Sequence, residues 1–272
     1  MSAVKKAVIL ARGLGTRMRK ANEQADSGLS AEQSAAASKG LKGLIEIAGH
    51  PFLDYGISAL ADAGVTDVCL VIGPEQDMFR EYYDAPGRTS RVRIHYAIQE
   101  EPLGTANAVV AAKEFAGSDR FYCLNSDNYY RVAGLRELGK VSGAGALGYT
   151  REAIENQSNI PTDRIPAMAI LMVEDGLFVD VVEKPEPEVI AAHPDAPLSM
   201  NCWLFGPEIF PACENVALSS RGEYELPQAV SDMVAAGTPV QVVCANLGIL
   251  DMSNRGDIAF VEKSLEGIEV TL

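Results

Sequence analysis

The first residues able to do chemistry are Gly13-Leu14-Gly15-Thr16-Arg17, directly behind a short strand candidate, Lys6 to Ala11. Glycines without a Cβ let backbone N–H groups come close to an anion. Arg17, Arg19 and Lys20 add positive charge beside them. The segment suits a cradle for a chain of phosphates, although a plain structural turn satisfies the same pattern. A second feature is Ser126-Asp127-Asn128, which puts a carboxylate at the C-terminal end of the apolar run Phe121 to Asn125. Nucleophilic catalysis has no support. His50, His95 and His193 stand apart with no metal-ligand spacing, and the cysteines at 69, 123, 202, 213 and 244 form no C-x-x-C pair. Cys69 and Cys123 lie inside apolar runs, where cysteine behaves as a small buried hydrophobe. Other near matches fail residue by residue. Met18 stands where a dinucleotide fingerprint needs its third glycine, Val141 where a P-loop needs Ser or Thr, and Leu60 where a nucleophile elbow needs Gly.

Leu10-Ala11-Arg12-Gly13-Leu14-Gly15-Thr16-Arg17-Met18 resembles the L-A-x-G-x-G-T-R-M signature of sugar-1-phosphate nucleotidyltransferases. Lys42 to Pro51 is similar to that family's K-x-L-x-x-[VI]-x-G-x-P segment, and Gln99 to Ala106 to its Q-x-x-x-L-G-T-A segment. Leu124 to Asp127 matches a strand-end metal Asp, Glu183-Lys184-Pro185 an E-K-P motif, and Leu250-Asp251 a second metal Asp before a helix. The six motifs keep the family order. Four departures stand out. Arg12 replaces an Ala or Gly, Leu41 a Pro, and Ser126 a Gly, and the 21–38 segment is idiosyncratic. Lys39 competes with Lys42 for the role of signature lysine.

The resemblance implies that an NTP and a sugar 1-phosphate give an NDP-sugar and pyrophosphate. The attacking phosphate oxygen is already anionic, so positioning and charge neutralisation carry the catalysis. It assigns Asp127 and Asp251 to Mg²⁺, an ion that takes few carboxylates and completes its octahedron with phosphate oxygens and water. Helix N-capping or a turn is the alternative role for each Asp. By the same resemblance Arg17 meets the β- and γ-phosphates, Lys42 the α-phosphate, and Lys184, oriented by Glu183, the sugar phosphate. Gln99 reads the base edge with help from the Gly104 backbone, and Leu10, Ala11, Gly13, Gly15, Thr16 and Thr105 complete the nucleotide site. Asn125, Asn201 and Arg221 fall on the sugar-phosphate side, and Trp203 is either a pocket or a core aromatic. A Gln amide can rotate to face uracil, thymine or guanine, so Gln99 does not choose among them. Two other readings remain: a same-fold enzyme acting on a non-sugar phosphate, and a nucleotide-binding module without turnover.

These residues need a scaffold. Val68–Ile72 reads as a buried strand, Ile94, Tyr96 and Ile98 alternate, and Leu44–Ile47 reads as a strand. Helices are expected over Pro51–Ala63, Pro74–Asp84, Thr105–Phe115, Leu226–Ala236 and Ile258–Leu265. The 21–38 segment reads as a mobile loop, with room for helical turns, that closes over bound nucleotide. Met168–Val173 and Leu177–Glu183 flank a hairpin turn at Glu174-Asp175-Gly176, and Ser199–Phe205 and Val240–Asn246 are further strands. This alternation predicts a mostly parallel sheet covered on both faces, whose ligands bind at the strands' carboxyl ends. The resemblance implies in addition a three-layer α/β/α, Rossmann-like nucleotidyltransferase fold with a mostly parallel central mixed sheet. One domain spans 1–272, with a nucleotide half over about 1–128 and a sugar-phosphate half over about 129–272.

Composition agrees with this scaffold. The 272 residues are 47% hydrophobic and 22% charged, as in ordinary globular proteins. A net charge of −14 repels phosphate backbones, which argues against nucleic acid as a partner. The apolar run Ile165–Val173 is too short for a bilayer, so no membrane partner is expected. Lys5 and Lys6 precede an apolar run that ends at Arg12, so no signal peptide is expected. Five cysteines with no C-x-x-C pair make the cytoplasm the expected compartment. A homo-oligomer is compatible with the sequence.

Overall fold

The computed structural model describes residues 3–13, 15–20 and 28–272. In chain order its strands are β1 (Lys6–Leu10), β2 (Glu46–Ile47), β3 (His50–Pro51), β4 (Asp67–Ile72), β5 (Arg93–Ile98), β6 (Phe121–Asn125) and β7 (Asn128–Tyr129). They continue as β8 (Ala144–Tyr149), β9 (Ile170–Glu174), β10 (Leu177–Val182), β11 (Leu198–Phe205), β12 (Val240–Ala245) and β13 (Leu250–Asp251). A nine-stranded sheet runs in the order β5-β4-β1-β6-β11-β8-β12-β10-β9. The strands β5, β4, β1 and β6 are mutually parallel, as is the pair β8 and β12. In the second half β11 runs antiparallel between β6 and β8, and β10 runs antiparallel to β12 and β9. Parallel pairing is therefore concentrated in the first half.

Alternation along each strand feeds two cores. In β1, Ala7 and Ile9 face one apolar cluster and Val8 the other. The helices Phe52–Asp62, Val132–Gly139 and Ile258–Leu265 cover the first face, and Thr105–Ala111, Ile209–Asn215 and Leu226–Ala235 cover the second. These are the three expected layers. Trp203 is 1% exposed and stacks with Phe205, so it belongs to the core and not to a pocket. Cys69 and Cys123 are buried. No described helix is long and apolar enough to cross a membrane.

Several local expectations are revised. Lys42–Leu44 is a 3-10 turn, closed by Leu44 N–H to the Leu41 carbonyl, and the β2–β3 hairpin replaces the single strand expected over 44–47. Within the expected 21–38 loop, Ala31–Lys39 is a helix, because Ser30 and Gln33 form a reciprocal capping box and Gly40 ends it in the left-handed region. Residues 21–27 lie outside the described residues. The helix expected from Pro74 begins only at Met78, because the Gln76 side chain and backbone fold back on Gly73. Ala112 interrupts the helix expected over 105–115, dividing it into Thr105–Ala111 and Lys113–Ala116. The hairpin turn is as expected, with Asp175 and Gly176 at φ of 49° and 77°.

The connection from β12 to β13 is sterically tight. A Cβ on Gly248 would sit 1.9 Å from the backbone oxygen of Gln157, at the end of the helix Arg151–Gln157. Gly248→Ala is expected to cost about 1–3 kcal/mol through overpacking against backbone, read as a lower urea midpoint at unchanged m-value.

Candidate active site

The carboxyl ends of β1, β5 and β6 open into one cavity of about 250 Å³. From β1 come Leu10, Ala11, Arg12 and Gly13, and from the segment after β5 come Gln99, Gly104 and Thr105. Lys42 and the β6 end, Asn125 to Asp127, complete the wall. Ser126 N–H donates to the Leu10 carbonyl, so the β1–β6 ladder continues one step beyond the strands and fixes where Asp127 begins.

Lys42 Nζ lies 2.8 Å from Asp127 Oδ2, with the two side chains only 14% and 25% exposed. Lys39 is exposed on its helix, so Lys42 is the lysine turned to the site. The ribbon formed by β13 and β7 pairs Asp251 with Asn128 and brings a second carboxylate beside Asp127. Asn128 Nδ2 and Ser253 Oγ donate to Asp251 Oδ1, at 3.1 and 3.0 Å. Asp251 Oδ2 is buried without a hydrogen-bond partner, and Arg164 Nη2 lies 3.6 Å from it. Burial first, and then the charge of Asp127, push the Asp251 carboxyl above its ordinary range. Neither aspartate caps a helix.

Gln99 is 5% exposed, and its Nε2 donates to the Gly104 carbonyl at 3.0 Å and to Asn107 Oδ1 at 2.9 Å. The carbonyl can only accept, so the amide cannot rotate freely. Gly104, at φ 121°, has no room for a Cβ, which would lie 2.5 Å from the Tyr224 backbone oxygen. Thr105 Oγ1 accepts from Leu226 N–H, so this hydroxyl also ties the segment to the second half.

The remaining predicted residues are not part of the cavity lining. Gly15, at φ 58°, packs on Gly40, where a Cβ would meet the Gly40 oxygen at 2.5 Å. Thr16 and Arg17 are exposed on the short helix Thr16–Arg19. Glu183 and Lys184 are exposed, and Arg221 makes a bidentate pair with Glu225. That pair holds the Glu225 carboxyl below its ordinary range. Pro185 predicts an extended residue before it. Lys184 instead has φ 46°, because the chain leaving β10 turns at once and buries Pro185. Asn201, at φ 52°, sits at a register shift in β11. Non-glycine residues in this region are strained, and such strain gathers at functional sites.

Sequence reasoning missed Arg164, Arg255 and Tyr130. Buried Arg255 donates to the Met18 carbonyl and to Ser38 Oγ, holding Thr16–Arg19 against Ala31–Lys39. Tyr130 OH donates to the Met200 carbonyl at 2.8 Å and lies 3.4 Å from Asn125 N. No local pattern marks any of the three, because each makes a contact with a distant segment.

The nucleotidyl transferase family model matches residues 36–248. The chain belongs to this family, as one of its sugar-1-phosphate nucleotidyltransferases. A glucose-1-phosphate thymidylyltransferase from Streptomyces antibioticus is 30% identical over 268 residues, covering 97% of this chain and 67% of the relative. A UTP–glucose-1-phosphate uridylyltransferase from Haloferax volcanii is 28% identical over 262 residues, 96% of each chain. The UTP-bound UGPase from Acinetobacter baumannii shares the fold, with a TM-score of 0.74 at 18% identity over 98% of this chain and 95% of that one.

The raised Asp251 carboxyl gives a signed prediction. Its fold-imposed penalty is absent below the ordinary value of 3.8 and grows as pH rises through the raised value. Asp251→Asn removes this penalty. The stability of the variant relative to the parent is therefore expected to improve as pH rises from the ordinary value of 3.8 and to level off above the raised value, measured by urea unfolding in a chelator. A difference that stays flat with pH contradicts the assignment.

Proposed function

We propose that this chain condenses UTP or dTTP with a hexose 1-phosphate, glucose 1-phosphate foremost, releasing pyrophosphate. The observation that carries the reading is that Lys42, Asp127 and Gln99 line one cavity, with the Asp251 carboxylate close enough to Asp127 to feel its charge. Because both Nε2 protons are engaged, Gln99 presents only Oε1 as a free acceptor. That suits the ring N–H of uracil or thymine, and equally that of guanine, so the choice of a pyrimidine is drawn from the names of the relatives.

The donor set fits a divalent cation. The two carboxylates sit side by side, and the buried Asp251 Oδ2 has no hydrogen bond to satisfy it. Asp127 and Asp251 would hold Mg²⁺, which when bound neutralises phosphate charge as it develops on pyrophosphate. Lys42 neutralises the phosphate nearest the carboxylates. Lys184 holds the sugar phosphate from the opposite side, where Glu183 and Arg221 share its field. The attacking oxygen is anionic on arrival, so no residue needs to take a proton. Under this reading residues of about 1–128 bind nucleotide, those of about 129–272 bind the sugar phosphate, and the chain works in the cytoplasm.

A matrix of NTPs against sugar 1-phosphates, scored by pyrophosphate release, tests the proposal. Turnover is expected with UTP or dTTP and glucose 1-phosphate; turnover confined to a non-sugar phosphate overturns it. Asp127→Asn is expected to lower kcat by at least about 100-fold with an unchanged Tm. Lys184→Ala is expected to lose about 30- to 1000-fold in kcat/KM for the sugar phosphate, the effect of about 2–4 kcal/mol, while KM for the NTP holds. A collapse of NTP affinity instead would assign Lys184 to the nucleotide.

A further inference from the structure

We infer that Arg12 is a positioning residue that sets the base end of the cavity by clamping the ends of β1, β4 and β5 to one another. This rests on the nucleotidyltransferase reading above. Arg12 stands in the signature segment where an Ala or Gly is usual, yet its side chain is only 9% exposed, so the cation is folded inward. Nη1 donates to the backbone carbonyl of Gln99, the first residue after β5. Nη2 donates to Glu75 Oε2 at 3.3 Å, in the turn after β4. Gly73 makes the space: a Cβ there would lie 2.6 Å from Arg12 Nε and 2.5 Å from Glu75 Oε1. Nε itself is buried without a hydrogen-bond partner. A buried cation with an unsatisfied donor is a poor device for stability, so its value lies in the geometry it enforces.

That geometry concerns Gln99. Its N–H donates to the Ile72 carbonyl, its own carbonyl accepts from Arg12, and its amide is held by Gly104 and Asn107. Main chain and side chain are thus fixed before any base arrives. The Arg12 guanidinium reaches toward the strand ends, so it acts on the base through Gln99. A binding group ordered in advance avoids the entropy of being ordered by the ligand.

The test combines calorimetry with UTP and steady-state kinetics on parent, Arg12→Ala, Arg12→Lys, Gly73→Ala and the Arg12→Ala/Gly73→Ala double variant. Arg12→Ala is expected to weaken UTP binding and raise the NTP KM by about tenfold, with the sugar-phosphate KM and kcat within about twofold. Arg12→Lys recovers part of this, since one ammonium reaches one of the two acceptors. Gly73→Ala drives the guanidinium out and copies Arg12→Ala, yet adds nothing further in the double variant, where the space is already vacant. A merely structural role would lower the active fraction, leave the NTP KM unmoved and make the two losses additive; any of these results overturns the clamp. If the parent binds UTP but turns over no sugar phosphate, the reaction reading fails while the calorimetric comparison still decides on Arg12. A parent that binds no UTP overturns both.

Discussion

The site is organised around two carboxylates that repel one another. Asp127 lies two residues past the end of β6 and Asp251 ends a two-residue strand more than a hundred positions later, and the β7–β13 ribbon, which pairs Asp251 with Asn128, brings them together. Each is balanced by a cation from elsewhere, Lys42 on Asp127 and Arg164 beside Asp251. A fold optimised for stability alone would separate like charges or replace one. Keeping them adjacent, one of them 7% exposed, makes a place where added positive charge is favourable in a chain whose net charge is −14.

The sheet explains why this can be done with so few residues. Four parallel strands end at one edge, so β1, β5 and β6 deliver their loops to a common point without long connections. Glycine lets backbones touch at two of these points, Gly15 on Gly40 and Gly104 on Tyr224. The second half turns mostly antiparallel, and two of its residues, Lys184 and Asn201, adopt positive φ.

Much of this is legible in the sequence. Apolar runs set β4 and β6, the Asp175-Gly176 turn sets a hairpin, and the motifs pick out Asp127, Asp251, Gln99 and Lys42. What is not legible has a common physical cause. The choice of Lys42 over Lys39 depends on a 3-10 turn that no local propensity dictates. The left-handed Lys184 contradicts the local rule for a residue before proline. The contacts of Arg12, Arg164, Arg255 and Tyr130 join segments tens to hundreds of residues apart, so they exist only once the chain has folded.

The Tyr130 hydroxyl lies on the border between the halves. It reaches the Met200 carbonyl on β11 and the Asn125 N–H on β6, and those two strands are themselves paired. The two halves of the chain are therefore not modules. A cut between them passes through a continuous hydrogen-bonded sheet and through one buried phenol. Recombining the first half with another protein's second half would demand a matching β11 backbone. Substrate range in such a scaffold is free to drift through loop and side-chain replacement, while exchange of whole halves is closed to it.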